Sequence, residues 1–397
     1  MRLLRLQLFD YRNFHRLDLA LGPGASLFVG GNAQGKTNLL ESVYLLATMR
    51  ELRAETEAQV IRRQATEDPM PAARVVAEAE TAEGRLKLEV AVVGRDGAHG
   101  LIASKTAKVN GIPKRLSDAV GRLAAVLFTA ADIDLASGTP SARRRYIDIT
   151  LSQVDRGYVS ARSRFERVLA QRNHLLKRIR EGVAGTGELA FWDGELARDG
   201  GYLFAARAVA LSQLAVLAAQ AHATLAPQEE LRLEYRPRLE GHAPDGLGDP
   251  AAASEAYGKA LRRGLSRDVA AGMTLQGPHR DDIAFSLDGM PAAGFASRAQ
   301  QRTIALALRL AEAQLLRSRR GEPPLLLLDD ILSEMDADRC RSVIDAISGS
   351  DQLLVTTTDA GRFPRQFLDA AVVFSVAAGT VAPLSAQAAA TRGTGET

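Results

Sequence analysis

The fold is decided by one stretch, Gly30-Gly31-Asn32-Ala33-Gln34-Gly35-Lys36-Thr37. It fits the pattern G-x-x-x-x-G-K-[ST], follows the apolar run 26–29 and precedes helical apolar spacing over 38–49. Glycines let backbone N–H groups close around phosphate oxygens, and the helix N-terminus adds its positive dipole end. Lys36 is predicted to reach the β- and γ-phosphates, and the Thr37 hydroxyl to ligate Mg²⁺. The sequence therefore predicts a nucleotide site that uses all eight residues.

A second part of this site is predicted where the apolar run 325–328 ends in Asp329 and Asp330. A strand that is buried on both faces of a parallel sheet presents its carboxyl end at the ligand-binding edge. Asp329 is the candidate carboxylate for Mg²⁺, acting through water, and Asp330 is placed to polarise an attacking water. Paired acids after an apolar strand become specific only in combination with the glycine-rich stretch.

A third candidate precedes this strand at Ser297, the predicted N-cap of a helix. The apolar positions of this helix repeat at three- and four-residue spacing: Ile304, Leu308, Ala311 and Leu315. The Ser297 hydroxyl and the N–H groups of the first turn can meet a phosphate. An ordinary capped helix explains the same pattern, so the sequence leaves both interpretations open.

The chain changes character along its length. The first third alternates polar and apolar residues as strands do, including a hairpin over 74–80 and 85–92. Long helices are then predicted over 141–154, 157–180 and 190–225, before strands and helices alternate again. We therefore predict an α/β fold, with a nucleotide-binding head at 1–115 and 265–385, a mostly helical arm at 116–264 and a disordered tail at 386–397.

Composition places the chain among soluble globular proteins. Its 397 residues are 46% hydrophobic and 24% charged, enough for two or three structural units. No run approaches the about 20 apolar residues that cross a membrane, and residues 1–8 lack the apolar core of a signal peptide. A single cysteine, Cys340, excludes an internal disulfide framework. These features favour a cytosolic protein without a membrane partner.

Positive charge is concentrated in one region. The net charge is only +3, but residues 141–180 contain eleven Arg and Lys against three acidic residues. Arg143, Arg144 and Arg145 are the candidate contacts to DNA phosphates. A solvated, arginine-rich helix face explains the run equally well. In the separate segment 277–282, we predict a structural ion pair between Arg280 and Asp282, near the core of the nucleotide-binding head, rather than a metal site.

Several motifs together resemble the RecF family of bacterial recombination-repair ATPases, in the SMC-like branch of the ABC-type ATPases. One is Asn32 within the glycine-rich stretch, at a position where transporter ATPases generally have Ser. The others are Thr37-Asn38-Leu39-Leu40-Glu41, Tyr11-Arg12-Asn13-Phe14, Pro140-Ser141-x-Arg143-Arg144, Gly277-Pro278-His279-Arg280-Asp281-Asp282 and Ser333-Glu334-Met335-Asp336. The resemblance implies a P-loop ABC/SMC-like ATPase head split by the helical arm.

The resemblance also implies residue roles. Arg12 matches an arginine that reaches nucleotide phosphates, and Asp336 matches an aspartate at the dimer interface. Ser297 matches the signature serine that contacts the γ-phosphate in the opposite subunit. The candidate catalytic residues are therefore Lys36, Asp330 and Ser297. The signature normally reads Ser-x-Gly-Gln, whereas Ala299 occupies the glycine position here. A methyl group at that position can restrict the approach of the partner's phosphate.

The implied function is ATP- and Mg²⁺-dependent binding of single-stranded, gapped or duplex DNA by an ATP-dependent homodimer. Weak ATP hydrolysis would act as a switch, without covalent chemistry on DNA. The family works with RecO and RecR to load RecA, supports SOS induction, and acts in the cytoplasm at the nucleoid.

Three alternatives stay open. Another SMC-like head is disfavoured because the insertion is too short for a long coiled coil. In a transporter ATPase subunit, the glycine-rich stretch and the signature lie much closer than Thr37 and Ser297. A nucleotide-gated scaffold without useful turnover is kept open by Ala299.

Overall fold

The computed structural model describes residues 1–52, 56–97, 100–331, 337–347 and 350–384. The chain forms two compact units. The sheet unit comprises Met1–Asp132 and Arg309–Thr397, and the helical unit comprises Ile133–Leu308. Two predicted features, the interface residue Asp336 and the tail at 386–397, lie outside the described residues.

The described strands and helices follow in chain order. The strands are β1 (Arg2–Tyr11), β2 (Phe14–Ala20), β3 (Gly24–Val29), β4 (Ala72–Thr81), β5 (Gly84–Gly97), β6 (Gly100–Val109), β7 (Ile112–Lys114), β8 (Ala125–Thr129), β9 (Leu231–Arg236), β10 (Asp282–Leu287), β11 (Met290–Pro291), β12 (Leu325–Asp329), β13 (Gln352–Thr357), β14 (Val372–Ala377) and β15 (Thr380–Pro383). The helices are α1 (Lys36–Thr48), α2 (Leu116–Ala119), α3 (Ile133–Ser137), α4 (Pro140–Ser152), α5 (Arg156–Arg180), α6 (Leu189–Leu225), α7 (Pro250–Ala271), α8 (Ala292–Phe295), α9 (Arg298–Arg320), α10 (Ala337–Ile347) and α11 (Arg365–Ala370).

A mostly parallel sheet forms the base of the nucleotide site. Its strand order is β15-β14-β3-β13-β12-β8, and only β15 runs antiparallel to its neighbour. Every residue of β12 and β13 is buried, as their continuous apolar character predicts. Because β3, β13 and β12 are parallel neighbours, their carboxyl ends meet at one edge of the sheet. The loop after Val29 and the end of β12 at Asp329 therefore become neighbours.

The second sheet of this unit is antiparallel, with the order β2-β1-β4-β5-β6-β7. Helix α1 contacts β4 and β5 of this sheet, and β8, β12 and β13 of the parallel sheet. Most of its residues are buried, which is typical of a helix enclosed by structure on several sides. The helix that begins at Lys36 is therefore held by both sheets.

The helical unit is built around α6, which packs against α5, α7 and β9. By length and composition alone, this helix can cross a membrane. Half of its most apolar stretch is buried within the unit, however, and the helix also buries Arg207 and Asp199. We interpret α6 as the core helix of this unit.

Buried Arg207 joins several elements of the helical unit. Its guanidinium donates to the Asp148 carboxylate of α4 at 2.8 Å and to Asp281 Oδ2 at 2.8 Å. It also donates to the Tyr158 hydroxyl of α5 at 3.0 Å, and Tyr235 of β9 donates to Asp281. Paired partners offset the desolvation of a buried guanidinium, whereas loss of one partner would leave a buried charge uncompensated.

The structure confirms the three long predicted helices as α4, α5 and α6, each within two residues of its predicted bounds. The unit boundaries differ from those expected at 115 and 265. Strand β8 pairs with β12 and belongs to the sheet unit, while β10 pairs with β9 and belongs to the helical unit. Neither long-range pairing leaves a local signal in the sequence.

The predicted ion pair between Arg280 and Asp282 is wrong. Asp282 instead accepts from Arg143 of α4, at 2.7 Å from Nε and 3.0 Å from Nη2. The guanidinium of Arg280 lies 3.2 Å from Met273 Sδ. Asp282 begins β10, and this position directs its carboxylate toward α4 rather than along its own turn.

We expect a partly buried histidine, His279, to make the stability of the protein depend on pH. Burial lowers the pKa of His279 to about 4, and its Nε2 lies 3.1 Å from the Thr274 carbonyl. Below pH 6.5 the unfolded chain takes up a proton that the folded chain does not. We therefore expect the free energy of unfolding to fall by about 2 kcal/mol between pH 7 and pH 5.

Denaturant unfolding at several pH values checks this expectation. His279→Gln keeps an N–H donor for Thr274 but does not titrate, so its stability should depend less on pH. His242→Gln, at a partly exposed histidine, is the matched control. Equal pH slopes for His279→Gln and the unaltered chain would contradict the assignment.

Candidate nucleotide site

The loop between β3 and α1 has the backbone conformation that a phosphate-binding loop requires. Gly35, directly before the helix, has φ of 113°, and Ala33 has φ of 61°. A Cβ at Gly35 would lie 2.4 Å from Asn13 Nδ2, so glycine is required there for both backbone and space. The loop therefore closes directly onto the N-terminus of α1, where backbone N–H groups and the helix dipole favour an anion.

Lys36 folds back over this loop. Its Nζ donates to the Gly30 carbonyl at 2.6 Å and to the Gly31 carbonyl at 2.8 Å. Burial lowers its pKa, while the Asp330 and Asp329 carboxylates oppose that shift. An ammonium has three N–H donors, so this arrangement leaves one donor for a phosphate oxygen. The phosphate contact of Lys36 stays a prediction.

Thr37 contacts the end of β12. Its hydroxyl oxygen lies 2.8 Å and 2.9 Å from the two carboxylate oxygens of Asp329, which also lies 3.0 Å from the Thr356 hydroxyl. A hydroxyl and a carboxylate are oxygen ligands of the kind that Mg²⁺ takes together with waters and nucleotide phosphates. While its O–H donates to Asp329, the Thr37 oxygen keeps lone pairs for a cation. The residues present fit the predicted Mg²⁺ site.

Asp330 follows Asp329 with a left-handed backbone, at φ of 53°. Its N–H donates to Thr356 Oγ1 at 3.1 Å, which ties the turn to β13. Such a conformation is uncommon for a residue other than glycine, although Asp adopts it more readily than most. The structure thus brings Lys36, Thr37, Asp329 and Asp330 together at one sheet edge.

Support for the loop comes from residues that the sequence analysis did not assign to the site. Asn13 donates to the Gln34 carbonyl at 2.9 Å and accepts from Asn38 Nδ2 at 2.8 Å. The N–H of Ala378, in the turn after β14, donates to Gln34 Oε1 at 2.7 Å. Asn13 was visible as part of the motif at 11–14, but the contribution of the β14–β15 turn depends on tertiary pairing.

Arg12 lies close to helix α1, and its guanidinium contacts other residues of the protein. Its guanidinium donates to the Gln59 carbonyl at 3.2 Å and lies 3.6 Å from the Glu41 carboxylate of α1. Glu41 holds Arg12 against the helix that begins at the phosphate loop. The phosphate contact of Arg12 stays a prediction.

Ser297 lies in the helical unit and forms a reciprocal cap at the start of α9. Its Oγ accepts from the Gln300 N–H at 3.2 Å, and its own N–H donates to Gln300 Oε1 at 2.8 Å. This is the capping-box arrangement, with Gln at the third helical position. Ser297 and Ala299 are exposed. The predicted N-cap is confirmed, and the phosphate contact stays a prediction.

The candidate DNA contacts are not equivalent. Arg143 is buried and pairs with Asp282, so the structure contradicts its role as a phosphate contact. Arg144 donates to the Asp281 carbonyl at 2.7 Å, and burial lowers its pKa. Arg145 is exposed. The charge run therefore has two parts, one built into the fold and one at the surface.

The packing around the loop predicts that a side chain is tolerated at Gly31 but not at Gly30. A Cβ at Gly30 would lie 2.2 Å from the Val376 carbonyl oxygen, whereas the nearest atom at Gly31 is Gln34 Cγ at 3.8 Å. We expect Gly30→Ala to lower the free energy of unfolding by about 1–3 kcal/mol, because β14 cannot move aside without losing pairing to β3. Gly31→Ala is the matched control and should stay close to the unaltered chain in denaturant unfolding. Equal stabilities for the two variants would refute the close packing at Gly30.

Comparisons with known proteins agree with the geometry. The chain matches the family model described as RecF/RecN/SMC N terminal domain over residues 2–380. The DNA replication and repair protein RecF of Chloroflexus aurantiacus is 42% identical to it, covering 95% of this chain and 98% of that relative. RecF of Roseiflexus castenholzii is 40% identical, covering 96% of this chain and all of that relative.

Solved structures give the same result. One is described as the recombination mediator protein RecF with ATP in the RecFOR pathway; it has a TM-score of 0.83 and 27% identity, and covers 97% of this chain and 98% of that chain. A Smc head domain with a coiled coil and joint from Pyrococcus yayanosii has a TM-score of 0.52 at 12% identity and 98% coverage of both chains, which shows a shared fold. The predicted fold class, a P-loop ABC/SMC-like ATPase head with a helical insertion, is confirmed. The chain belongs to the RecF family of DNA replication and repair proteins.

Proposed function

We propose that this protein binds Mg-ATP at the edge of its parallel sheet and uses the bound nucleotide to control DNA binding. The observation that carries the proposal is the contact between Thr37 Oγ1 and the Asp329 carboxylate, at 2.8 Å and 2.9 Å. It joins the two halves of the site across 292 residues of sequence. A solved relative with 27% identity is described as binding ATP.

Each residue has a separate role in this proposal. The backbone of the loop at 30–37 would hold the phosphates, and Lys36 would donate to the β- and γ-phosphates. Thr37 and Asp329 would hold Mg²⁺, which neutralises charge that develops on the phosphates. Asp330 would accept a proton from the attacking water. Hydrolysis would be weak and would reset the bound state, without covalent chemistry on DNA.

A second copy of the chain would complete each site. The Ser297 hydroxyl would donate a hydrogen bond to the γ-phosphate bound by the partner subunit, as the resemblance to ABC-type ATPases implies. The exposure of Ser297 and its place at a helix N-terminus support this role. Two-fold pairing would then enclose two nucleotides, and ATP would control association by mass action.

The sheet unit would act as the ATPase head, while the helical unit would supply the signature and a DNA-binding arm. Exposed Arg145 of α4 and exposed cations of α5, including Arg167 and Arg178, support phosphate contacts without base specificity. We propose that the protein binds gapped, single-stranded or duplex DNA and that RecO and RecR are its partners. The proposed outcomes are RecA loading and SOS induction. The proposed location is the nucleoid in the cytoplasm. The solved relative's description as a recombination mediator in the RecFOR pathway supports this assignment.

A nucleotide-gated scaffold without useful turnover is the second candidate. The observation that favours it is the exposed Ala299, two residues after Ser297 in the signature. Its methyl group stands where the family pattern has glycine. Steady-state ATP hydrolysis by the purified chain, with and without DNA, distinguishes the two candidates. Ala299→Gly should raise turnover if the methyl group restricts the partner's phosphate.

Removing the Lys36 ammonium tests the nucleotide site. We expect Lys36→Ala to weaken ATP binding about ten- to a hundredfold, because a charged hydrogen-bond donor to the phosphates is lost. Retention of duplex, gapped and single-stranded DNA should then no longer respond to ATP. Equilibrium dialysis measures the first effect, with the exposed Lys87→Ala as the matched control. Unchanged ATP affinity in Lys36→Ala would refute the assignment of the loop.

A variant that binds ATP but hydrolyses it slowly tests whether two chains share each nucleotide site. Asp330→Asn keeps the backbone bond to Thr356 and leaves Asp329 available for Mg²⁺, but removes the carboxylate that accepts the water's proton. We expect this variant to bind ATP, hydrolyse it slowly and accumulate as a dimer in light scattering. Monomers at micromolar protein with saturating Mg-ATP, with and without DNA, would contradict the shared site.

A further inference from the structure

The signature glutamine is held in one orientation by a side chain outside the signature. Gln300 Oε1 accepts from the Ser297 N–H at 2.8 Å, and its Nε2 donates to Glu229 Oε1 at 3.0 Å. A carboxylate only accepts hydrogen bonds, so it selects the amide nitrogen of Gln300. The amide oxygen is thereby directed toward Ser297. The Ser297 N–H favours the same orientation, and the Glu229 carboxylate adds a charged acceptor at the other end of the amide.

This orientation determines what Ser297 presents to a ligand. Its Oγ accepts from the Gln300 N–H at 3.2 Å, which fixes the hydroxyl beside the start of α9. The hydroxyl proton remains available for donation, and the side chain is exposed. A reversed amide would face the Ser297 N–H with its own N–H₂ group and break the reciprocal cap. Ser297 would then keep only the bond from the Gln300 backbone N–H to its Oγ, and would be held less firmly.

Glu229 is partly buried, and one of its carboxylate oxygens is enclosed by the helical unit. It follows the turn after α6, where its N–H donates to the Ala226 carbonyl at 3.1 Å. Its Oε2 is buried and lies 3.5 Å from Nε2 of His222, a fully buried histidine at the end of α6. Burial lowers the pKa of His222, while the Glu229 carboxylate opposes that shift. The neighbouring Glu230 instead pairs with Arg232 at the surface.

We propose that Glu229 is a positioning residue for the signature: it fixes the Gln300 amide so that Ser297 presents its hydroxyl proton to the γ-phosphate on the partner subunit. Its action is indirect, since it reaches the phosphate only through Gln300 and Ser297. The proposal rests on the proposed function, because it requires that Ser297 contacts a nucleotide in a dimer.

A set of single substitutions provides the first test. Glu229→Ala should lower kcat on the order of tenfold, the size typical of partners that orient a contacting group. It should also weaken ATP-dependent dimerisation in light scattering. ATP binding by the monomer in equilibrium dialysis should stay unchanged, because the loop at 30–37 is intact. Glu230→Ala is the matched control and should behave as the unaltered chain.

An exchange of the two side chains separates positioning from a general structural role. Gln300→Glu alone places two carboxylates together and should reduce dimerisation and kcat more than Glu229→Ala. Adding Glu229→Gln should restore both, since the amide introduced at 229 donates to the carboxylate introduced at 300. A merely structural contact would change the melting temperature without this pattern of rescue.

The outcomes are distinct. Normal kcat and dimerisation in Glu229→Ala, or no rescue by the exchange in a folded double variant, would overturn the positioning role. If Ser297→Ala also retained normal dimerisation and kcat, the proposed function of the signature would fail, and not only the role of Glu229. If Ser297→Ala loses dimerisation and kcat while Glu229→Ala keeps both, the shared nucleotide site stands and Glu229 has no positioning role in it.

Discussion

The contact between the Thr37 hydroxyl and the Asp329 carboxylate is the interaction on which the site depends. It exists because β3, β13 and β12 are parallel neighbours and end at the same edge of the sheet. Helix α1, enclosed by both sheets of its unit, holds Thr37 at that edge. The positions of the loop at 30–37 and of Asp330 follow from the same strand order, because the loop and the Asp329–Asp330 turn are direct continuations of β3 and β12.

Local chemistry made this part of the protein predictable from sequence. Glycine spacing, Lys36 and Thr37 define the loop, and the continuous apolar run before Asp329 is typical of a buried parallel strand. The long helices were predictable because their apolar residues repeat with helical spacing. The placement of β8 beside β12 was not, since sequence periodicity carries no information about which strands pair. The same limit applies to Asn13 and the β14–β15 turn behind the loop.

The arginines of the charged run at 141–180 show most clearly what could not be predicted from the sequence. Arg143 and Arg145 are two positions apart in one charged run, yet one is buried against Asp282 and the other is exposed. Sequence gives their number, while burial and pairing decide whether each stabilises the fold or is accessible to phosphates. Arg207 in α6 and Asp281 belong to the same buried network, which explains the otherwise unassigned segment 277–282. Through Asp281, that segment is tied to α6, the core helix of the helical unit.

The central claim is that each nucleotide site takes its loop from one chain and Ser297 from another. Mixing Lys36→Ala chains with Ser297→Ala chains tests it most directly, because a mixed dimer contains one site with an intact loop and an intact serine. The account predicts ATP hydrolysis by the mixture well above the sum of the two separate variants, at equal total protein. Hydrolysis equal to that sum, in a mixture shown to form mixed dimers, would contradict it.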